Sequence, residues 1–239
     1  MDWHQAIEAV EPHVVHISTP RGSGTGWLVS ASETSQLCAI ATAAHVVDHA
    51  HYWEMPIRIF HPASGSSVLF RAHERAIHLA PEIDSAAIVI NRGELPLPEA
   101  TLPILESGYF IRAGVEVGWI GFPAVHPSES CFFSGRISRY SEARKQYLVD
   151  GVAINGVSGG PTFRIGVGAP EMIGIVSAYM ANRSTGEPLP GLAVIQDVSQ
   201  FYDIAERFRT YDEAKRAETA PEDTTEASRA AAEPTSGGA

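Results

Sequence analysis

Short segments rich in apolar and β-branched residues recur along most of the chain and are separated by Gly, Pro and polar turns, a pattern typical of β-strands. Strands are predicted in the first half over 14–18, 27–29, 37–42, 57–60, 67–71, 75–79 and 84–90. Strands are predicted in the second half over 115–123, 131–140, 147–149, 160–165, 172–178 and 192–195. Many short strands with such turns favour an antiparallel sandwich or barrel over an α/β fold.

Helical spacing occurs only near the two ends of the chain. Apolar residues from Trp3 to Val10 recur every three or four positions, and Pro12 ends this predicted helix. A second amphipathic helix is predicted over about 198–216. Residues 217–239 are mostly Ala, Glu, Thr, Ser, Pro and Gly without periodicity, which predicts a disordered tail. The proline-rich stretch 96–103 is expected to link two lobes.

Composition and charge narrow the class of protein. The net charge of −11 argues against nucleic acid or an acidic membrane as partner, and a hydrophobic fraction of 44% is typical of a globular protein. The two cysteines, Cys38 and Cys131, are expected to be reduced thiols. No signal peptide and no apolar run long enough to span a bilayer are evident. These features predict a cytoplasmic protein that does not bind a membrane.

One glycine-rich stretch, residues 155–161, carries the most distinctive candidate chemistry. Gly156 and Gly159 flank Ser158, so the backbone can turn sharply and the amides of Gly156 and Ser158 can point at one place. Converging N–H groups beside a serine suit acyl transfer, in which an oxyanion forms next to the nucleophile. A glycine-rich turn that happens to contain a serine is the alternative. Upstream, His45 and Asp84 lie at the edges of predicted strands and are candidates for a base and an orienting acid.

Several segments resemble the chymotrypsin-fold serine proteases, and in particular their bacterial HtrA-type branch. The resemblance extends over about residues 5–200 and rests on 6–17, 22–29, 41–47, 84–88, 156–161 and 174–177. The histidine, aspartate and nucleophile motifs of the family occur in the family's order, at His45, Asp84 and Ser158.

The resemblance implies an all-β fold of two antiparallel six-stranded barrels and a C-terminal helix. It predicts a protease domain over 1–210, with barrel one at about 13–95 and barrel two at about 110–197, and the helix is expected to pack on barrel two. It also implies that Ser158 is the nucleophile, His45 the general base and Asp84 the orienting acid. The amides of Gly156 and Ser158 would form the oxyanion hole. A peptide-binding PDZ module usually follows this domain in the HtrA-type branch, but none is expected from the residues after 197.

Residues around the nucleophile predict how substrate is selected. By comparison with the family, Val152 and Ala153 are expected at the base and wall of the primary specificity pocket, with Asn155 nearby. A strand over 177–179 is expected to pair with the substrate backbone, and the residues assigned to it are Ser177, Ala178 and Tyr179. No acidic residue is expected in the pocket, which favours cleavage after small or medium apolar residues. Ordinary core packing is the alternative role of these residues.

One position departs from the family. Val157 stands where zymogen-activated relatives have an aspartate that pairs with a new N-terminus, and where the HtrA-type branch usually has asparagine. Activation by that kind of cleavage is therefore not expected. How the oxyanion loop is held in shape is left open by the sequence.

Three other functions are compatible with the residues. His45 and His49 have the spacing of a helical zinc pair, but the glutamate of the metalloprotease motif is absent, so neither a metal nor a cofactor is expected. A catalytically silent protease fold that binds a partner is the second alternative, and a triad esterase or acyl hydrolase is the third. The expected partner is a protein or peptide substrate, with a regulatory protein as one way to restrain the enzyme.

Overall fold

The computed structural model describes residues 1–93, 95–181 and 188–219, without the side chains of residues 179–190. Of the predicted tail over 217–239, residues 220–239 lie outside the described part of the chain. The three α-helices of the described residues are α1 (Trp3–Val10), α2 (Ala44–Tyr52) and α3 (Phe201–Thr219). Helix α1 has the predicted bounds, and α3 begins and ends three residues later than predicted.

The described strands form two antiparallel sheets. The first contains β1 (Val14–Thr19), β2 (Gly22–Ala31), β3 (Leu37–Thr42), β4 (Ile57–His61), β5 (Ser66–Phe70), β6 (Arg75–Ala80) and β7 (Ser85–Asn91). The second contains β8 (Glu116–Gly121), β9 (Cys131–Ser141), β10 (Gln146–Asp150), β11 (Pro161–Ile165), β12 (Pro170–Ala181) and β13 (Pro188–Asp197). The predicted linker falls in the segment between β7 and β8.

The two sheets close to different degrees. The second is a closed six-stranded barrel in the order β10-β13-β12-β11-β8-β9, as predicted. The first is a seven-stranded sheet in the order β5-β4-β1-β2-β3-β7-β6, and no ladder joins its edge strands β5 and β6 within the described residues. It is therefore a partly closed barrel. Its seven strands correspond to the seven segments predicted along the first half of the chain, but they are one more than the family resemblance implies, because β4 and β5 form an additional hairpin beside β1.

The glycines of residues 22–26 lie inside strand β2, which begins at Gly22, five residues before the strand predicted over 27–29. A Cβ atom at Gly24 would come within 2.5 Å of the Val46 side chain, and one at Gly26 within 2.7 Å of the Ile17 side chain. These glycines therefore serve close packing rather than a change of chain direction.

Each terminal helix packs on the half of the molecule that is more distant from it in sequence. Trp3 of α1 contacts the rings of Phe132 and Phe163 in the second barrel, at centroid distances of 5.3 and 5.8 Å. Phe201 of α3 meets Trp27 of β2 edge-on at 6.3 Å. The expectation that the C-terminal helix packs on the second barrel is wrong, since the buried face of α3 lies over β2, β3, β6 and β7.

Candidate active site

His45 and Asp84 form a close pair at the edge of the first sheet. Nδ1 of His45 lies 2.9 Å from both carboxylate oxygens of Asp84. Because an ionised carboxylate only accepts hydrogen bonds, Nδ1 must carry the hydrogen, and Nε2 of the neutral ring is then an acceptor. The side chains are 50% and 26% exposed, so the pair can be reached from solvent.

Local structure explains why the Asp84 carboxylate is so precisely placed. Asp84 follows the short 3-10 turn Pro81–Ile83 and has a left-handed backbone with φ of +49°, a conformation that aspartate tolerates better than most residues. Its Oδ1 accepts the backbone N–H of His45 at 3.0 Å. This amide is one of the orphan donors at the N-terminus of α2, where no side chain of the helix itself serves as cap.

Ser177 provides a further contact to the same carboxylate. Its Oγ donates to Oδ2 of Asp84 at 2.5 Å, across the boundary between the two sheets. The register of β12 against β13 shifts between Val176 and Ala178, so Ser177 lies at a β-bulge. Bulges redirect side chains next to active sites, and this one turns Ser177 toward the pair.

The pKa values of the two groups move apart. The hydrogen bond to Asp84 raises the pKa of His45 above its usual value, with partial burial opposing the rise and the charges of Asp84 and Asp48 adding to it. Burial alone would raise the pKa of Asp84, but hydrogen bonds from His45 and Ser177 outweigh burial and hold that pKa below its usual value. The carboxylate is thus ionised at neutral pH.

Ser158 reaches the same site from the second barrel. His45, Asp84 and Ser158 line one cavity of about 300 Å³, together with Ala153, Ile154, Asn155, Val176, Ser177 and Ala178. Among the described residues, the Ser158 hydroxyl makes no hydrogen bond. Such contacts are often long before substrate binds, so the geometry is compatible with a resting nucleophile.

The backbone before Ser158 forms a tight turn. Val157 donates its N–H to the C=O of Ile154 at 3.2 Å, and Gly156, the third residue of the turn, has φ of +92°. These are the features of a type II turn, which requires glycine at that place. A Cβ atom on Gly156 would also come within 2.3 Å of the Phe122 carbonyl oxygen.

This turn determines where the amides point. The C=O of Asn155 accepts the N–H of Ala124 at 2.7 Å. Because the peptide group is planar and trans, the N–H of Gly156 points in the opposite direction. The N–H groups of Gly156 and Ser158 have no acceptor among the described residues, so both are available to a ligand.

The residues predicted to bind substrate fall into three groups. Ala153, Asn155, Ser177 and Ala178 line the cavity, as do Ile154 and Val176, which were not predicted. The expectation that Val152 forms the base of the pocket is wrong: it follows the end of β10 at Asp150, is 48% exposed to solvent and does not line the cavity. Tyr179 pairs with Ala193, but its side chain lies outside the described residues.

The alternative zinc site finds no support in this geometry. His45 uses Nδ1 for Asp84, and His49 packs its ring near Trp53 at 6.2 Å. In the part of the chain that the structure describes, no three His, Cys, Asp or Glu side chains cluster as metal ligands would.

No described helix combines the length and the apolar character needed to cross a membrane.

Comparisons with known proteins show the family and the fold of this chain. The family model described as a trypsin-like peptidase domain matches residues 24–175. No functionally curated protein sequence matches the chain. The fold is similar to that of a serine endoprotease from Yersinia pestis, with a TM-score of 0.63 and 19% identity over 87% of this chain and 66% of that protein.

A second structure of similar fold is an inactive Ser343Ala mutant of Rv3671c from M. tuberculosis H37Rv. It has a TM-score of 0.56 and 18% identity over 92% of this chain and 96% of that one. At such low identity, these likenesses concern the fold alone, and they confirm the predicted chymotrypsin-like fold.

Proposed function

This chain belongs to the trypsin-like peptidase family, a family of serine proteases, and from that premise we propose that it is an endopeptidase acting through an acyl-enzyme on Ser158. The observation that carries the proposal is the His45–Asp84 pair lining one cavity with Ser158. A neutral imidazole with its hydrogen on Nδ1 offers Nε2 to a serine hydroxyl, as a general base requires.

The proposed reaction has two stages. Ser158 Oγ attacks the scissile carbonyl while its proton moves to Nε2 of His45, and the charged imidazolium is stabilised by Asp84. The N–H groups of Gly156 and Ser158 donate to the developing oxyanion. His45 then gives the proton to the leaving amine. In the second stage water attacks the acyl-enzyme while its proton moves to Nε2 of His45, and this proton passes to Ser158 Oγ as the acid product leaves.

Two features support a peptide as the substrate. Strand β11 pairs with β12 only as far as Ile175, so on that side Ser177 and Ala178 have no described strand partner. An extended substrate backbone can add itself there by β-augmentation. The walls contributed by Ala153, Ile154 and Ala178 are apolar. The carboxylate of Asp84, which also lines the cavity, is already engaged by His45. Both features favour small or medium apolar side chains in the substrate.

The resting shape of the loop bears on regulation. Because the turn before Ser158 already frees both amides, we propose that restraint comes from narrow specificity or from a protein partner, rather than from a misshapen loop. The cytoplasmic location expected from the sequence stays a prediction.

The test combines fluorophosphonate labelling, read by intact mass, with cleavage of a peptide library. We expect one adduct on the wild-type protein, cuts after Ala, Val or Leu, and neither result for Ser158→Ala. Ser134→Ala, which changes an exposed serine on β9, should keep both. An adduct without peptide cleavage would favour an esterase or acyl hydrolase, and absence of both would favour a silent binding module.

A further inference from the structure

The loop that carries Ser158 is held by a residue of the opposite sheet. Thr25 lies on β2 and is completely buried. Its hydroxyl donates to the C=O of Gly156 at 2.9 Å and accepts the N–H of Phe122 at 3.0 Å. Its backbone N–H donates to the C=O of Ser158 at 2.8 Å. One residue thus binds two carbonyls of the nucleophile loop, on either side of Val157.

These contacts hold the peptide groups that follow the two free amides. Thr25 holds the C=O of Gly156 and of Ser158, and Ala124 holds that of Asn155. The N–H of Gly156 shares a peptide group with the Asn155 carbonyl, and the N–H of Ser158 shares one with the Val157 carbonyl, which accepts the N–H of Gly160 at 2.9 Å. Thr25 holds the next peptide group after each of these, so it restricts rotation of the loop on the C-terminal side of both free amides. Glycine tolerates both signs of φ, so Gly156 does not by itself determine which way its flanking peptides face.

Thr25 is itself anchored on the side away from the loop. It pairs with His16 in the β1–β2 ladder, and its C=O accepts the hydroxyl of Thr42 at 2.7 Å. The loop is therefore fastened to a rigid sheet and not to another loop. Gly159 fits beneath this contact because a Cβ there would come within 2.2 Å of the Thr25 oxygen.

The residue at position 157 explains why such a contact is needed. Val157 is fully buried and packs closely against Gly121, and it has no charge with which to fasten the loop. We propose that Thr25 is a positioning residue that maintains the oxyanion hole from the first sheet, by hydrogen bonds in place of an ion pair. This inference rests on the proposed function of Ser158.

The decisive variant is Thr25→Val, which keeps the shape and the backbone hydrogen bond to Ser158 but removes the hydroxyl. It leaves the Gly156 carbonyl and the Phe122 amide without their buried partner. We expect kcat on a peptide substrate to fall about 10- to 100-fold with little change in KM, less than for direct loss of an oxyanion donor. Thr25→Ser should recover most of the rate.

Thr162→Val is the matched control. Thr162 is also completely buried, but its hydroxyl makes no hydrogen bond within the described residues. This variant should keep the wild-type kcat. The melting temperature of every variant, measured in parallel, separates a loss of rate in folded protein from a loss of folded protein.

Amide NMR signals provide a readout that does not depend on turnover. In Thr25→Val we expect the signals of Gly156 and Ser158 to shift or broaden, while the Nδ1 proton signal of His45 stays unchanged. A folded Thr25→Val protein with wild-type kcat and unchanged loop amides would overturn the inference. If the wild-type protein cuts no peptide, the proposed function fails, and the amide signals alone still decide whether Thr25 positions the loop.

Discussion

At the scale of single residues, the site depends on how one carboxylate is shared. Asp84 accepts hydrogen bonds from the ring and the backbone of His45 and from Ser177. These contacts hold the ring in one tautomer and keep the carboxylate ionised. The motifs around His45, Asp84 and Ser158 were sufficient to predict this group. Ser177 was predicted only as part of the substrate strand, because its contact with Asp84 depends on a bulge that no local pattern signals.

Replacing Asp84 tests the proposed role of this carboxylate. We expect Asp84→Asn to lower kcat by about 10⁴-fold, because an amide NH₂ facing Nδ1 favours the tautomer in which Nε2 carries the hydrogen and cannot accept the Ser158 proton. The measurement is kcat for a peptide substrate at the pH optimum, with circular dichroism to confirm folding. Near-normal turnover in the folded variant would exclude a triad.

The pH dependence of the rate follows from the raised pKa of His45. The base must be neutral, so kcat/KM should rise with pH through a pKa above the ordinary value of 6.5 and then level off. Asp48→Asn removes a charge that raises this pKa, so it should move the rising limb to lower pH and leave the plateau nearly unchanged. A limb that stays in place in this variant would show that another group controls it.

At the scale of elements, the strands were predicted from local sequence, whereas the surface on which α3 docks was not. Its carboxylate Asp212 is buried and accepts hydrogen bonds from Ser32 Oγ at 2.6 Å, Thr34 Oγ1 at 2.7 Å and Glu33 N–H at 2.9 Å. One turn along, Arg216 pairs with Glu33. The polar turn after β2 thus binds the helix.

Asp212→Asn should destabilise the protein by about 2 kcal/mol at neutral pH, because several buried donors lose a charged acceptor. These hydrogen bonds outweigh the opposing effect of burial and lower the pKa of Asp212 from 3.8 to about 2. A carboxyl whose pKa is lower in the folded than in the unfolded protein stabilises the fold at pH values above the unfolded pKa. The difference in unfolding free energy between the wild-type protein and Asp212→Asn should therefore shrink as pH falls from about 4 to about 2. Urea unfolding across this range measures it.

Glu213→Gln is the control, since Glu213 is the exposed neighbour of Asp212 on the same helix. Its unfolding free energy should follow that of the wild-type protein at every pH. An equal loss in both variants would mean that helix charge, and not the contact with the turn, stabilises the docking.

At the scale of the whole molecule, the two terminal helices connect the halves. Helix α1 packs on the second barrel through Trp3, and α3 packs on the first sheet through Phe201, Ile204 and Phe208. Each half is therefore in contact with a helix from the opposite end of the chain. Amphipathic periodicity predicts that a helix buries one face, but it is silent about which surface will cover that face.

Removing residues 220–239 should leave the melting temperature within about 1 °C of the wild-type value, because this segment has too few apolar residues to contribute a packed face. A variant that ends before Phe201 loses three large buried side chains and should be far less stable. Differential scanning calorimetry compares the two. A drop of several degrees on removing only 220–239 would show that the tail docks on the protein.

The sequence by itself determined the class of fold, nearly all strands and the positions of His45, Asp84 and Ser158, because these depend on local periodicity and on motifs of a few residues. Tertiary structure decided the rest: the incomplete closure of the first sheet, the lobe that α3 covers, the exposure of Val152 and the contact of Thr25 with the Ser158 loop. Each of these depends on residues far apart in the chain, such as Thr25 and Gly156. Their meeting is set by packing and by the need of buried polar groups for partners, which no single segment contains.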